Sequence, residues 1–215
     1  MDPITQQLLF ASAGAGAGTL EIGDAYEGGF FAGYISYNND NVATHGLIVA
    51  PAASGYNGGT ALKIYSGSPF RVNYLGSDVG STNTALMSNA NWQAGYYCSN
   101  LTIDGYSDWF LPARQELEIA YHNLKPTTDN NDTSYGANGL SIPQRLSNNT
   151  ASFPSQTSVT AFQEGNTEAF IADLHWTSQG AGGKNLYTRD FTDDQQESVR
   201  MDNTHYVRAF RKFAV

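Results

Sequence analysis

The chain reads as an α+β domain, and three observations lead there. Apolar alternation marks strands toward both ends, two stretches in the middle carry helical spacing, and Gly, Asn, Ser and Thr punctuate everything between them. The order strands, helices, loops, strands fits segregated α+β packing and excludes regular βαβ alternation. A length of 215 residues suits one packed core with a short appendage. Only 14% of residues are charged, while Gly numbers 22, Tyr 13 and Phe 11, which describes a turn-rich chain with aromatic anchors and not a disordered one.

Residues 1–20 differ in kind from the rest. Ile4, Leu8 and Leu9 suit one or two helical turns, and Ser12 to Thr19 is an Ala/Gly tract with no side chains to build a core. The segment reads as an attachment peptide with a linker, its alternative being a frayed terminus. Residues 21–215 read as a single domain. Gly28 and Gly29 precede Phe30, Phe31, Tyr34, Ile35 and Tyr37, Asn38 to Asn41 mark a turn, and Gly46 to Ala50 form a short apolar strand ended by Pro51. This punctuation predicts an N-terminal β-hairpin ahead of the main body. Residues 52–80 are Gly/Ser/Asn-rich, with a strand fragment at Ala61 to Tyr65.

Between Asn83 and Leu101, the residues Leu86, Ala90, Ala94, Cys98 and Leu101 recur at helical intervals and predict one amphipathic helix. Pro112 opens a second, with Leu117, Ala120, Tyr121 and Leu124 on one face and Pro126 just past its end. The polar stretch 127–153 predicts a long surface loop. Strands return at Ala169 to Trp176, Asn185 to Phe191 and Tyr206 to Phe213, separated by turns at Gly180 to Gly183 and Thr192 to Asp194.

Net charge is −9. Phosphate-backbone binding needs clustered cations, and the one basic cluster, Arg208, Arg211 and Lys212, alternates with Val207, Phe210 and Phe213 like a strand with one solvated face, so no nucleic-acid partner is expected. A lone Cys98 excludes an internal disulfide and reads as a small core residue. The N-terminus has no basic segment typical of an export signal and its apolar run is too short to cross a bilayer, so synthesis in the cytoplasm without membrane insertion is expected.

His45, His122, His175 and His205 show no metal-ligand spacing, and neither a nucleophile elbow nor a phosphate-cradling loop occurs. No catalytic residue, metal or cofactor is assigned. Asp129 to Asp132 is oxygen-rich and open to a calcium reading or to that of a solvated turn.

Three blocks remain: Gly105-Tyr-Ser-Asp-Trp-Phe-Leu-Pro-Ala-Arg-Gln-Glu-Leu117, His175-Trp-Thr-Ser178, and Tyr206-Val-Arg-Ala-Phe-Arg211. In this order they resemble the C-terminal domain of Legionella collagen-like adhesins, over roughly residues 74–215. Thr177 stands where that family usually has Ser, and Phe210 where it has Val. The resemblance implies a C-type-lectin-like domain related to the formylglycine-generating-enzyme scaffold, with two helices packed on short antiparallel sheets. Phage tail-fibre and other virion proteins carry such domains, and Gly28 to Ile35 with Leu47 to Pro51 looks like the phage members.

The implied function is non-enzymatic: a virion structural protein whose lectin-like module attaches to a host-surface glycan or protein, residues 1–20 joining it to other virion proteins. A capsid decoration or head-fibre role is the alternative, and a homo-oligomer is expected. The sugar-coordinating triplets of calcium-dependent lectins are absent from the sequence, so a glycan would be held by aromatic faces with amides and hydroxyls. The candidate contact residues are Trp176, Asn185, Tyr187, Asn203 and Tyr206, each aromatic having core packing as its other reading. Asp108 and Ser107 are expected to accept hydrogen bonds from backbone donors in the turn ahead of the following helix, Trp109 to anchor its junction, and Arg208 and Arg211 to be charge partners.

Overall fold

The structure is a computed structural model that describes residues 19–66 and 75–215; the expectations for the attachment peptide, including Ile4, Leu8 and Leu9, fall on residues 1–18 and lie outside the described residues. Strand β1 (Ala25–Tyr26) is followed by β2 (Gly29–Ile35) and β3 (His45–Val49), and β2 and β3 form the predicted antiparallel hairpin. At Gly29 a side chain would meet the Val49 carbonyl oxygen at 2.4 Å, so only glycine allows this closeness of backbones.

The hairpin is not an extension ahead of the domain. On its free edge β3 pairs antiparallel with the C-terminal strand β10 (Phe210–Ala214), from Phe210 opposite Val49 to Ala214 opposite His45. The two ends of the sequence therefore share one sheet. Its β3 strand is buried on both faces: Leu47 and Val49 join one apolar cluster, Ile48 and Ala50 the other. That is why this segment reads as a continuous apolar run and not as an alternating one.

On the Leu47 face lies the long helix, Arg114–Leu124, which puts Leu117, Ala120, Tyr121 and Leu124 into the core as their spacing predicts. Two short helices, Ala52–Gly55 and Gly80–Ala85, flank the opposite cluster with a third at Gln93–Ser99; in chain order these are α1, α2 and α3, and the long helix is α4. The single helix expected between Asn83 and Leu101 is thus two helices with a break. Leu86 and Ala90 are exposed and Met87 is buried in their place. The cause is local: the Asn91 backbone N–H donates to the Asn89 side chain at 3.1 Å, a turn that competes with helical bonding.

A second sheet is antiparallel, with β6 (Leu174–Gly182), β7 (Asn185–Asp190) and β8 (Gln196–Arg200) in order. The expected strand at Ala169 to Trp176 begins only at Leu174 and runs on through the expected turn to Gly182. A small pair joins β4 (Leu62–Lys63) to β9 (Thr204–His205).

The polar stretch 127–153 is not a loose surface loop. It contributes β5 (Ser141–Ile142) to the edge of β2, and three of its asparagines, Asn131, Asn138 and Asn149, are buried. Asn131 donates to the carbonyls of Thr150 and Pro154 at 3.0 and 2.9 Å, Asn138 to that of Gln115 at 2.9 Å, and Asn149 to the Asp194 carboxylate at 2.6 Å. Buried, hydrogen-bonded amides replace apolar packing here. The architecture is α+β throughout, with antiparallel sheets.

A tyrosine and amide groove on α3

The three sequence blocks meet in space. Phe110 and Phe210 exchange backbone hydrogen bonds at 2.7 and 2.9 Å, Ser178 N–H donates to the Pro112 carbonyl at 2.8 Å, and Trp176 N–H donates to that of Tyr206 at 2.9 Å. Several of their side chains are taken up in this junction. Trp109 is buried and its Nε1–H donates to Tyr106 O at 2.9 Å. Asp108 does not cap α4: it accepts from the Arg211 guanidinium, which also reaches Glu27 at 2.8 Å. Glu116 does the capping instead, accepting from the Ala113 N–H at 2.7 Å.

Arg208 is fully buried. It donates to Ala50 O, Glu168 O and the Glu168 carboxylate at 2.9, 2.6 and 2.7 Å, between the rings of Tyr56, Phe162 and Phe170. His175 lies beside Tyr56 and is pulled down to about 3 by burial, which keeps its imidazole neutral. Arg208 and Arg211 are charge partners, as expected, and Lys212 of the basic cluster makes no ion pair among the described residues, standing 4.8 Å from the Tyr37 ring.

The candidate contact residues divide. Trp176 is a correction: it is 1% exposed, donates from Nε1 to Leu62 O at 2.8 Å and packs edge-on against His205, so its ring is an internal anchor with no face for a ligand. Asn185 and Tyr187 share the outward side of β7, opposite Arg200 and Ser198, and are half-buried, with the Arg114 guanidinium 5.0 Å from the Tyr187 ring. Asn203 is exposed on the turn after β8. Tyr206 belongs elsewhere, packed near Tyr56 and His175. The five do not form one site.

A different surface brings recognition chemistry together. Gln93, Tyr96, Tyr97 and Asn100 lie at i, i+3, i+4 and i+7 on α3 and its cap, one face of the helix, while Ala94 and Cys98 pack inward. With Asn57, Leu62, Ala90 and Leu101 they line an open groove of about 490 Å³. Tyr96 is 39% exposed. Tyr97 is fixed from below: its hydroxyl accepts from the Asn57 N–H at 2.6 Å and donates to Ser54 O, and burial raises its pKa, so it stays a neutral phenol.

Among the described residues, each amide is held at one end only. Gln93 Oε1 accepts from the Lys63 N–H at 3.2 Å, Asn57 Nδ2 donates to Thr60 O at 3.1 Å, and Asn100 Nδ2 donates to Tyr96 O at 2.7 Å. The spacing of the four α3 residues was present in the sequence, hidden behind the apolar stripe on the other side of the same helix. The opposite wall comes from residues 57–62 and only the fold brings it there.

The Asp129 to Asp132 loop already contains a cation. The Lys125 ammonium donates to Asp129 O and, at 2.8 Å, to Asn131 Oδ1, which takes the inward oxygens that a calcium ion would need. Among the described residues no cluster of three or more His, Cys, Asp or Glu stands ready to hold a metal, and no helix is long and apolar enough to cross a membrane. No protein-family model and no curated protein sequence matches the chain.

Proposed function

We propose that the protein is a non-enzymatic virion structural component whose C-type-lectin-like module attaches a tail fibre or similar appendage to the host surface. Residues 1–20 would join it to other virion proteins, with several copies acting together. The observation that carries this reading is the α3 groove, an exposed tyrosine flanked by half-engaged amides on a surface of two short elements tied down by Tyr97. Rigid aromatic rings with adaptable hydrogen-bonding neighbours are what recognition surfaces use, because they supply contact area at low entropic cost. The convergence of the three sequence blocks supports the same reading. Asp108, Trp109, Arg208 and Arg211 build the scaffold, so the surface is free to vary with the ligand.

Adsorption competition tests it. Purified full-length chain, added to bacteria before the particles that carry it, is expected to slow particle adsorption in proportion to its concentration. Unchanged adsorption at saturating chain, with the chain located in lattice contacts on the capsid, would favour the decoration role and overturn the attachment reading.

A further inference from the structure

The groove also constrains what is attached to. We infer that it seats one ring of an uncharged sugar, stacked on Tyr96 and hydrogen-bonded by Gln93, Asn57 and Asn100. This rests on the attachment reading and adds the chemistry of the receptor.

The argument starts with the amides. With one end of each fixed to the backbone, the ends left without a protein partner among the described residues are a donor, Gln93 Nε2, and two acceptors, Asn57 Oδ1 and Asn100 Oδ1. Sugar hydroxyls donate and accept together, so a mixed set of this kind suits them, whereas a carboxylate or phosphate requires donors only. Among the described residues, no ionisable side chain other than the two phenols lines the groove. Lys63 is the nearest cation along the chain; it follows Leu62 in β4, where successive side chains point to opposite faces, and its charge acts on Asp202. The surrounding chain carries a net charge of −9, which repels polyanions. Tyr96 adds an exposed ring face, and Leu62, Ala90 and Leu101 add an apolar floor for the C–H side of a sugar. The fixed helix face makes the site preformed, so little ordering is lost on binding.

The experiment is an array of neutral and anionic bacterial oligosaccharides probed with the labelled full-length protein, its Tyr96→Ala, Tyr96→Phe and Gln93→Glu variants, and intact host bacteria as a parallel target. Thermal melting first confirms that the variants fold; Gln93→Glu keeps the oxygen that serves the Lys63 N–H while replacing the free donor. Retention on neutral glycans is expected, lowered roughly tenfold or more by Tyr96→Ala and Gln93→Glu and kept by Tyr96→Phe. Retention on anionic glycans alone, or full binding by Tyr96→Ala, overturns the inference and leaves the attachment reading standing. So does binding to intact bacteria without binding to any glycan. Failure to bind the bacteria themselves overturns the attachment reading.

Discussion

Replacing Arg208 by methionine removes a guanidinium that the sheet core encloses completely. Three hydrogen bonds disappear, to Ala50 O, Glu168 O and the Glu168 carboxylate, and that carboxylate, whose side chain is only 14% exposed, keeps a single donor among the described residues, the Ala52 N–H at 2.8 Å. Methionine fills much of the volume between Tyr56, Phe162 and Phe170, so the cost is mainly electrostatic. Removing one partner of a buried ion pair costs about 3–5 kcal/mol. Against a typical domain stability of about 5–15 kcal/mol this is a large share. With a urea dependence of about 2 kcal/mol per molar, the unfolding midpoint should fall by about 2 M at unchanged slope. Adding Glu168→Gln removes the stranded charge while keeping an acceptor for Ala52, and should recover about half of the loss or more. A single variant within about 0.5 kcal/mol of the parent, or a double variant as costly as the two singles summed, would refute the reasoning.

Other expectations follow from the same structure. Burial raises Asp194 to about 6 from its ordinary 3.8, against the opposing pull of Arg189. Its folded state therefore holds a proton that the unfolded state releases, so this contribution is full below about pH 4 and lost as pH rises through 6, worth about 3 kcal/mol in all. Urea titrations at pH 4 and 7 should show that fall in the parent, and Asp194→Asn should lack it; identical pH slopes would contradict the assignment. Cys98 is fully buried and its thiol pKa is raised by burial, so it should resist a disulfide exchange reagent in the native protein and react on unfolding, whereas prompt native labelling would place it wrongly. Gly29→Ala drives a methyl against the Val49 carbonyl oxygen and should destabilise by about 1–3 kcal/mol in thermal melts, an unchanged melting temperature being the contrary result.

How far the sequence carries depends on whether the deciding interactions are local. The α4 helix was legible because its start, its stop and its buried face all lie within residues 112–126. The β2–β3 hairpin was legible from its glycines and asparagines, but its place at the centre of the main sheet was not, since its partner β10 lies at the far end of the chain. The break between α2 and α3 was missed because an apolar stripe outweighed Asn89, whose side chain accepts from the Asn91 backbone N–H two residues on. Asparagines in the stretch 127–153 were misread as well: the polar run suggested a surface loop, whereas Asn131, Asn138 and Asn149 are buried amides that hold the segment inward. Trp176 was open to a contact or a core reading from the sequence, and what decides for the core is distant, its Nε1–H finding Leu62 O more than a hundred residues earlier. The groove needed the same kind of contact, because α3 presents one wall and the turn at Asn57 presents the other.

The most direct measurement is cryo-electron microscopy of the particles that carry this chain, resolved well enough to orient α3. The account predicts that the face bearing Gln93, Tyr96 and Asn100 points away from the particle, unobstructed, at the outer end of an appendage. Finding that face pressed into capsid lattice contacts would contradict it and leave a decoration protein.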